Sequence, residues 1–431
     1  MTALTQKRAP KDSLVITGAR VLDPVEGVDA LVDVRVDDGV IAAIGASLER
    51  NAHRVEDAHG LVLAPAFVDP HVHLRTPGRE DEETIASGTA AAAAGGYCAI
   101  LAMPNTDPVV DSAAVLGSLL EHAGADAVVP VGFLAAITKS QKGAELTEMG
   151  ELADAGAAGF TDDGRPVRSP GLMRRALQYA SITGRRLALH EEEPSLSRDG
   201  QMHEGAISAE LGFAGYPSVA ESLMVARDIA LAAYENQPLH VMHVSAKESV
   251  ALIADAKGVT AEVTPHHLCL TDEAVRSLDA NVKMNPPLRG VDDRAALVDG
   301  LRSGVISCVA TDHAPHARHE KEVPFEEAPF GVTGLETAFA ALYTHLVEPR
   351  LLPLETLLER MSAGPARAYG LEPPRIAIGA PANLVLIDEN ASWHVTEKGF
   401  RSRSVNSWLL GRTLRGKVRL TVANGRVVHE G

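Results

Sequence analysis

Two histidines separated by one residue, His71 and His73, are the first side chains in this sequence that could bind a metal ion together. They follow a short apolar run, and side chains on an extended strand alternate between its two faces. His71 and His73 therefore project from the same face, and Asp69 lies two residues earlier on that face. This spacing is typical of chelation, but the chain contains 17 histidines, so the pair alone does not establish a metal site.

Short apolar runs recur between residues 61 and 375 and alternate with alanine- and leucine-rich helical stretches. This alternation indicates repeated βα units around a parallel sheet. The eight runs are Leu61 to Val68, Cys98 to Met103, Val128 to Leu134, Ala157 to Phe160, Leu187 to Leu189, Leu239 to Met242, Val259 to Val263 and Ile306 to Ala310. They predict an α/β fold with a (β/α)8 TIM-like barrel, whose strand ends meet at one mouth. An open doubly wound sheet is the alternative, but no glycine-rich phosphate loop follows any run.

Histidines and carboxylates stand at several of the predicted strand ends. His190 follows the fifth run, His243 the sixth and Asp312 the eighth, while the fourth leads to the adjacent Asp162 and Asp163. Nitrogen and oxygen donors without sulfur suit Zn, Mn or Co. With His71 and His73 they exceed the needs of one ion, which favours two ions about 3.5–4 Å apart. Taken singly, His190 or His243 is better explained as a hydrogen-bonded histidine of the core.

The two ends of the chain have a different pattern from the middle. Residues 13–62 and 376–431 contain short alternating segments separated by turn signals. Each part is too small to bury its own apolar face, so we expect one β-sandwich built from both ends. The barrel, residues 63–375, would be inserted between the two halves. Residues 1–12 are polar and predict a flexible N-terminal tail.

Composition limits the classes of protein to which this chain can belong. Its formal net charge of -17 argues against a nucleic-acid partner, which needs a basic surface. No apolar run approaches the roughly 20 residues that span a bilayer. Cys98, Cys269 and Cys308 are widely spaced and form no zinc or disulfide pattern, which fits a reducing compartment. We expect a soluble cytoplasmic protein without a membrane partner.

Five longer motifs resemble those of the dihydroorotases of the longer bacterial class (type I), which are metal-dependent amidohydrolases. The motifs are Asp69 to Gly78, Ala102 to Thr106, Val263 to His267, Met284 to Arg289 and Ala310 to His316. The resemblance extends over nearly the whole chain. It implies the reversible cyclisation of N-carbamoyl-L-aspartate to L-dihydroorotate in de novo pyrimidine (UMP) biosynthesis, with a metal-bridging hydroxide and an aspartate acid and base.

The resemblance also implies which residues hold the metals. The implied ligands are His71, His73, Asp163, His190, His243 and Asp312. Asp312 is in addition the implied catalytic acid and base. Many relatives bridge the metals with a carboxylated lysine, whereas the matching place here carries an aspartate. Motif alignment favours Asp163 as the bridge, and Asp162 stays an alternative because adjacent side chains on a strand point to opposite faces.

Four further residues are implied to bind the substrate. Arg75, Asn105 and His316 would hold its α-carboxylate, since a guanidinium group matches a planar carboxylate. Asn285 would bind the pyrimidine ring. The alternatives are an ion pair at the surface for Arg75, a loop cap for Asn105 and a turn residue before two prolines for Asn285.

Cofactor and partners follow from the same resemblance. It implies two divalent metal ions, most commonly Zn2+, and a small-molecule substrate. Aspartate transcarbamoylase is a candidate partner, and we expect a homo-oligomer. Two other functions stay open: a hydantoinase- or allantoinase-like cyclic amidohydrolase, and a non-catalytic scaffold for that transcarbamoylase. Residues 316–334 form either a loop that closes over the substrate or a static connection.

Overall fold

A computed structural model describes residues 3–49 and 54–431 of the 431-residue chain. The strands of this part are β1 (Leu14–Asp23), β2 (Val28–Asp37), β3 (Val40–Gly45), β4 (Arg54–Asp57), β5 (Val62–Pro65), β6 (Phe67–Val72), β7 (Tyr97–Ala102), β8 (Val131–Phe133), β9 (Leu187–Leu189), β10 (Met202–His203), β11 (Gly215–Tyr216), β12 (Leu239–Val241), β13 (Val259–Val263), β14 (Cys308–Val309), β15 (Leu384–His394), β16 (Thr413–Ala423) and β17 (Arg426–Glu430).

The α-helices lie between the strands of the central region. They are α1 (Ile85–Ala94), α2 (Ala113–Asp126), α3 (Met149–Ala155), α4 (Pro170–Thr183), α5 (Pro194–Ser197), α6 (Ala206–Leu211), α7 (Val219–Glu235), α8 (Lys247–Ala254), α9 (Pro265–Cys269), α10 (Val291–Ser303), α11 (Arg318–Lys321), α12 (Ala338–Leu342), α13 (Leu354–Met361) and α14 (Ala363–Ala368). Short 3-10 helices span Lys139–Gln141, Asp272–Ser277, Ala280–Val282 and Glu397–Gly399, and a π-helical turn spans Tyr343–Val347. Within the described residues, no helix has the length and apolar character needed to cross a membrane.

Strands from both ends of the chain form one eight-stranded sheet. Its order is β17-β16-β15-β5-β1-β2-β3, and β4 pairs with β1 outside this path. The two ends join where Leu384 to Ile387 of β15 run antiparallel to Val62 to Pro65 of β5. Both ends therefore contribute to one β unit, in which hydrogen bonds connect all the strands. Its strand β5 extends past the boundary expected at residue 62.

Strand β15 packs against two hydrophobic cores because its side chains alternate between two faces. Leu384 and Leu386 belong to the core of the terminal sheet. Val385 and Ile387 belong to the large core of the central region. The alternation in this one strand attaches the β unit firmly to the rest of the molecule.

The central region is α/β, with two parallel sheets of order β6-β7-β8 and β9-β12-β13-β14. Single-residue bridges connect the two sheets on both sides. Phe160 forms parallel bridges with Ala135 and Leu187, and Val72 forms one with His313. The segments that carry the candidate site residues thus follow one another in space in their order along the chain.

The first of the eight apolar runs does not form one strand. Its first part is β5, which belongs to the terminal sheet, and β6, the first strand of the central region, begins only at Phe67. Both strands are buried throughout, so the apolar pattern continues across the break between them. The shift places His71 inside β6 and His73 directly after it.

Several of residues 3–12, where a flexible tail was expected, form backbone hydrogen bonds with the rest of the chain. The Ala3 backbone N–H donates to Gly156 O, and Thr5 and Val131 exchange two backbone hydrogen bonds of 2.9 Å each. Thr5 thereby lies antiparallel to β8. The polar composition concealed this strand-like pairing, because backbone groups rather than apolar side chains form it.

Candidate metal centre

Six buried or nearly buried polar side chains meet at the carboxyl ends of the central strands, and we call them the metal centre. An oxygen of the Asp163 carboxylate lies 3.7 Å from His71 Nε2, 3.6 Å from His73 Nε2, 3.9 Å from His190 Nδ1 and 3.7 Å from His243 Nε2. The sixth member, Asp312, lies with Oδ1 3.5 Å from His71 Nε2 and 3.0 Å from His73 Nε2. Asp163 thus occupies the middle of the group.

The neighbouring Asp162 points away from the metal centre. Its Oδ1 accepts hydrogen bonds from the backbone N–H groups of Ile137 at 2.8 Å and Thr138 at 3.1 Å. Its second oxygen accepts one from the Thr138 hydroxyl. Burial raises the pKa of Asp162 to about 6, although these hydrogen bonds oppose the increase. Asp162 therefore caps the loop after β8, and Asp163 is the member of the pair that the histidines surround.

The donor atoms form two groups that share Asp163. Ligand atoms of His71, His73 and Asp163 lie within 4.8 Å of one another, and so do those of Asp163, His190 and His243. His71 Nε2 is buried and has no hydrogen-bond partner in the described structure. A buried polar atom without a partner is costly, so this nitrogen fits a metal ligand. Imidazole and carboxylate donors without sulfur fit zinc and related divalent ions.

Charge within the centre also favours a bound cation. Burial disfavours an imidazolium, but Asp312, Asp163 and Glu262 outweigh it and raise the pKa of His71 well above its ordinary value. Burial likewise disfavours the Asp163 carboxylate, but His71, His243 and neighbouring histidines hold its pKa well below its ordinary value. The carboxylates of this centre therefore strongly attract positive charge, which a divalent ion would supply.

Three site residues adopt backbone conformations that are rare for residues other than glycine. The φ angles are +31° at His243, +48° at Asp312 and +56° at Arg75. Each such conformation costs about 1–3 kcal/mol, and surrounding contacts must maintain it. His243 has such a contact, because its backbone N–H lies 3.4 Å from Glu262 Oε1. Strain of this kind concentrates at functional sites.

His190 and His243 contact each other and a further carboxylate. His190 Nδ1 lies 2.9 Å from His243 Nε2, and His190 Nε2 donates to Glu192 Oε2 at 2.9 Å. Asn285, the residue implied to bind the ring, donates to the same Glu192 oxygen at 3.3 Å. Asn285 Oδ1 is buried without a partner, so one polar atom of this residue is free for a ligand.

A cleft of about 410 Å³ opens beside the metal centre, and we call it the Arg75 cleft. Its lining includes three of the implied substrate ligands, Arg75, Asn105 and His316. Arg75 Nε donates to Pro315 O at 3.0 Å and lies 2.9 Å from Glu82 Oε2. Neither Nη group of Arg75 forms a hydrogen bond in the described part of the chain. The guanidinium is thus fixed at Nε and keeps two donors for an incoming carboxylate.

Asn105 connects the Arg75 cleft to the metal centre. Its Nδ2 donates to Asp163 Oδ2 at 3.0 Å, and its Oδ1 accepts from His73 Nδ1 at 3.0 Å. His316 donates from Nε2 to Phe330 O at 2.8 Å, while its Nδ1 is buried without a hydrogen-bond partner and lies 3.6 Å from Glu82 Oε1. Burial, Arg75 and Lys321 lower the pKa of His316 to about 3, so its ring is neutral near pH 7. A neutral ring that donates from Nε2 can only accept at Nδ1, so His316 would need a proton at Nδ1 to hold a carboxylate.

Two other histidines near the strand ends, His267 and His313, have structural partners. His267 bonds Thr264 Oγ1 at 2.7 Å through Nδ1 and donates to Pro286 O at 2.9 Å through Nε2. His313 donates to Glu83 Oε2 at 3.1 Å. These contacts leave both rings without a free nitrogen for a metal, because the Gly334 backbone N–H also donates to His313 Nδ1.

Asp69 lies apart from the donor cluster. Although it was expected on the same face as His71 and His73, its Oδ1 accepts from the Thr311 backbone N–H at 3.1 Å. The same oxygen accepts from the His71 backbone N–H at 3.1 Å. These two hydrogen bonds hold Thr311, the residue before Asp312, against strand β6. Asp69 thereby helps to position the metal centre.

Two carboxylates of the site were missed by sequence reasoning. Glu262 on β13 accepts from His71 Nδ1 at 2.7 Å, and Glu192 contacts His190. The signal at Glu262 was a charged residue within a short buried strand, where a carboxylate needs a specific partner. The signal at Glu192 was weaker, because it lies in a run of three glutamates that resembles a solvated loop.

Residues 316–334 are held in place by two lysines. Lys283 Nζ donates to Phe325 O at 2.7 Å, and Lys321 Nζ donates to Pro329 O at 2.7 Å and Ala280 O at 3.0 Å. Phe325 belongs to a buried apolar cluster. The segment thus packs on the rim of the Arg75 cleft.

The sequence is similar to those of known dihydroorotases over nearly the whole chain. Residues 60–249 match a family model described as dihydro-orotase-like. The dihydroorotase of Geotalea daltonii is 45% identical over 423 residues, which cover 97% of this chain and 99% of that protein. The dihydroorotase of Pelotomaculum thermopropionicum is 46% identical over 420 residues, which cover 96% of this chain and 98% of that protein.

Solved structures with the same fold carry other names. The L-hydantoinase (dihydropyrimidinase) from Arthrobacter aurescens superposes with a TM-score of 0.87 and 25% identity, and the match covers 97% of this chain and 96% of that one. The dihydropyrimidinase from Brevibacillus agri superposes with a TM-score of 0.83 and 23% identity, over 97% of this chain and 95% of that one. The second likeness concerns the fold alone.

Proposed function

The chain belongs to the dihydroorotase family, and from that premise we propose that it interconverts N-carbamoyl-L-aspartate and L-dihydroorotate in de novo pyrimidine biosynthesis. The observation that carries the proposal is Asp163 surrounded by four histidines, beside a cleft in which Arg75 keeps two free donors. The histidines fit metal-dependent amide hydrolysis in general. Arg75 favours a substrate that carries a carboxylate.

The architecture proposed for this function is a closed (β/α)8 barrel with a β-sandwich formed from both ends of the chain. The bridges of Phe160 and of Val72 support closure, because they connect the two parallel sheets on both sides. In such a barrel the catalytic residues come from the carboxyl ends of different strands. The positions of His71, His190, His243 and Asp312 agree with that arrangement.

The proposed cofactor is a pair of divalent ions, with Zn2+ as the favoured metal. His71, His73 and Asp312 would bind one ion, His190 and His243 the other, and Asp163 would contact both. When bound, the ions supply Lewis acidity and a nucleophile that is active at neutral pH. The free nitrogen of His71 and the two donor groups around Asp163 support this assignment.

Asp312 is the proposed acid and base. In the hydrolytic direction it accepts the proton of the attacking water and delivers it to the departing ring nitrogen, and in biosynthesis the transfers run in reverse. Histidines hold its pKa low despite its burial, so it starts as a carboxylate that can accept a proton. Its Oδ1 lies 3.0 Å from His73 Nε2, among the side chains that would hold the metals.

Replacement of Asp312 by asparagine tests this role. General acid and base catalysis contributes about 10²- to 10⁴-fold, so Asp312→Asn should lower kcat by that factor in both directions. Metal content must be measured in the same preparation. A variant that binds both ions and keeps most of its activity would show that Asp312 is not the acid and base.

The proposed substrate ligands lie on two sides of the site and would bind different parts of the substrate. Arg75, Asn105 and His316 would hold the α-carboxylate from the Arg75 cleft. Asn285 would bind the ring through its free Oδ1 from the side of Glu192. Residues 316–334, which pack at the rim of the cleft, would exclude water from the bound substrate.

A hydantoinase-like specificity is the second candidate, because the superposed structures are named hydantoinases and dihydropyrimidinases. Assays of the metal-loaded protein with L-dihydroorotate and with hydantoin separate the two. We expect turnover of dihydroorotate. Turnover of hydantoin alone would overturn the proposed substrate, and a protein that loads no metal would favour the scaffold function.

The proposed setting is a cytoplasmic homo-oligomer that can associate with aspartate transcarbamoylase. Family membership supports this setting. Light scattering of the purified chain, alone and mixed with that transcarbamoylase from the same organism, tests both associations. A monomer whose mass does not change in the mixture would contradict them.

A further inference from the structure

Glu262 contacts one residue from each of the two donor groups of the metal centre, although it does not belong to the centre itself. Its Oε1 accepts from His71 Nδ1 at 2.7 Å, and the same oxygen lies 3.4 Å from the His243 backbone N–H. The side chains of Glu262 and His71 are both fully buried. One carboxylate on β13 thus touches a residue from each of the two groups that share Asp163.

Two consecutive hydrogen bonds, through His240 and Thr260, hold the second oxygen of Glu262. Oε2 accepts from His240 Nε2 at 3.0 Å, and His240 Nδ1 lies 2.8 Å from Thr260 Oγ1. His240 and Thr260 are direct neighbours in the parallel pairing of β12 with β13. Because both oxygens of Glu262 are occupied, its carboxylate plane is fixed relative to the two strands.

The contact with Glu262 also determines which nitrogen of His71 is free. A carboxylate can only accept, so in the neutral ring that a metal requires, the proton lies on Nδ1 and the lone pair on Nε2. This Nε2 is the buried atom without a hydrogen-bond partner. His73 Nδ1 likewise donates to Asn105, while its Nε2 faces Asp312 Oδ1 at 3.0 Å. Such outer partners fix the orientation and tautomer of metal-binding histidines.

We propose that Glu262, supported by His240 and Thr260, is a positioning residue that holds His71 Nε2 and the His243 backbone ready for metal binding. The inference rests on the proposed two-metal centre and extends it to residues that do not touch the ions. Glu262 has no contact with the Arg75 cleft, so it acts through the metal ligands and not through the substrate.

The test compares Glu262→Gln with Glu83→Gln. Glu83 is equally buried and accepts from a histidine, but that histidine is His313, outside the metal centre. Each variant is stripped, titrated with Zn2+ against a chromophoric chelator, and loaded with Co2+ for its visible spectrum. We expect Glu262→Gln to weaken binding about 10- to 100-fold and alter the Co2+ bands. Glu83→Gln should leave both unchanged.

Thr260→Val and Thr260→Ser provide a milder pair in case Glu262→Gln does not fold. Loss of the hydroxyl in Thr260→Val should weaken Zn2+ binding by a few-fold, and Thr260→Ser should restore it. Wild-type affinity in Glu262→Gln, or equal affinities in the two Thr260 variants, would overturn the inference alone. Failure of the unsubstituted protein to bind Zn2+ would instead overturn the proposed metal centre, and the inference with it.

Discussion

The metal centre and the Arg75 cleft lie side by side, yet their charges are arranged in opposite ways. In the described chain no lysine or arginine forms an ion pair with Asp163 or Asp312, and their ion-pair partners are histidines. In the cleft, Glu82 pairs with both Arg75, at 2.9 Å, and Arg79, at 2.7 Å. The cleft neutralises its own charge, whereas the proposed metal centre would take its balancing cation from solution.

The largest effect should come from the residue that both metal groups share. Asp163→Asn should lower kcat by at least about 1,000-fold, because the loss of several kcal/mol of metal-assisted stabilisation corresponds to that factor. Asp162→Asn is the matched control and should keep activity while it lowers stability. Steady-state assays of both variants measure this difference in kcat. A lower kcat in Asp162→Asn than in Asp163→Asn would contradict the assignment of Asp163.

We expect metal removal to lower the free energy of unfolding through the metal centre and not through the Arg75 cleft. At a free metal concentration about 1,000 times the dissociation constant, binding stabilises the folded state by about 4 kcal/mol. Chelation should therefore lower the free energy of unfolding by that order in the unsubstituted protein and by less in Asp163→Asn. Urea unfolding with and without chelator measures it. Equal losses in the two proteins would show that the metal does not bind at Asp163.

Changes in the cleft should affect substrate binding and spare the metals. Arg75→Ala removes charged hydrogen bonds worth about 1.5–3 kcal/mol, so KM for dihydroorotate should rise about 10- to 100-fold. Arg79→Ala removes a neighbouring cation that is already paired with Glu82 and Glu320 and should change KM little. The measurement is KM together with metal content. An unchanged KM in Arg75→Ala would leave the carboxylate without its proposed partner.

The smallest effect concerns the rim of the cleft. Burial and Lys283 lower the pKa of Lys321 to about 7, while an unfolded lysine titrates near about 10.4. Between these values the unfolded chain binds the extra proton, so this group makes stability rise with pH. Lys321→Met should remove the contribution of this group to the pH dependence of the free energy of unfolding. Unfolding at pH 7 and pH 9 measures it, and identical pH dependence in both proteins would contradict the buried placement of Lys321.

Sequence reasoning was most informative where one strand end determines the direction of a side chain. His71 and His73 needed only the alternation of a strand, and their places agree with it. The choice between Asp162 and Asp163 could not be made in this way. It depends on two backbone N–H groups after β8, which only the folded chain brings to Asp162.

Contacts between distant segments were beyond the sequence pattern. Glu262 is 191 residues from His71 along the chain, and a single charge in a short strand does not identify its partner. The apolar run from Leu61 to Val68 also concealed a break, because β5 and β6 are both buried but belong to different sheets. Residues 3–12 pair through backbone groups, which a pattern of side chains cannot reveal.

The most direct test of the central claim is the number of metal ions bound per chain. The unsubstituted protein, Asp162→Asn and Asp163→Asn are stripped, reconstituted with Zn2+, freed of excess metal and analysed by mass spectrometry of the elements. The account predicts about two ions in the unsubstituted protein and in Asp162→Asn, and about one or none in Asp163→Asn. Two ions in Asp163→Asn, or their loss in Asp162→Asn, would contradict it.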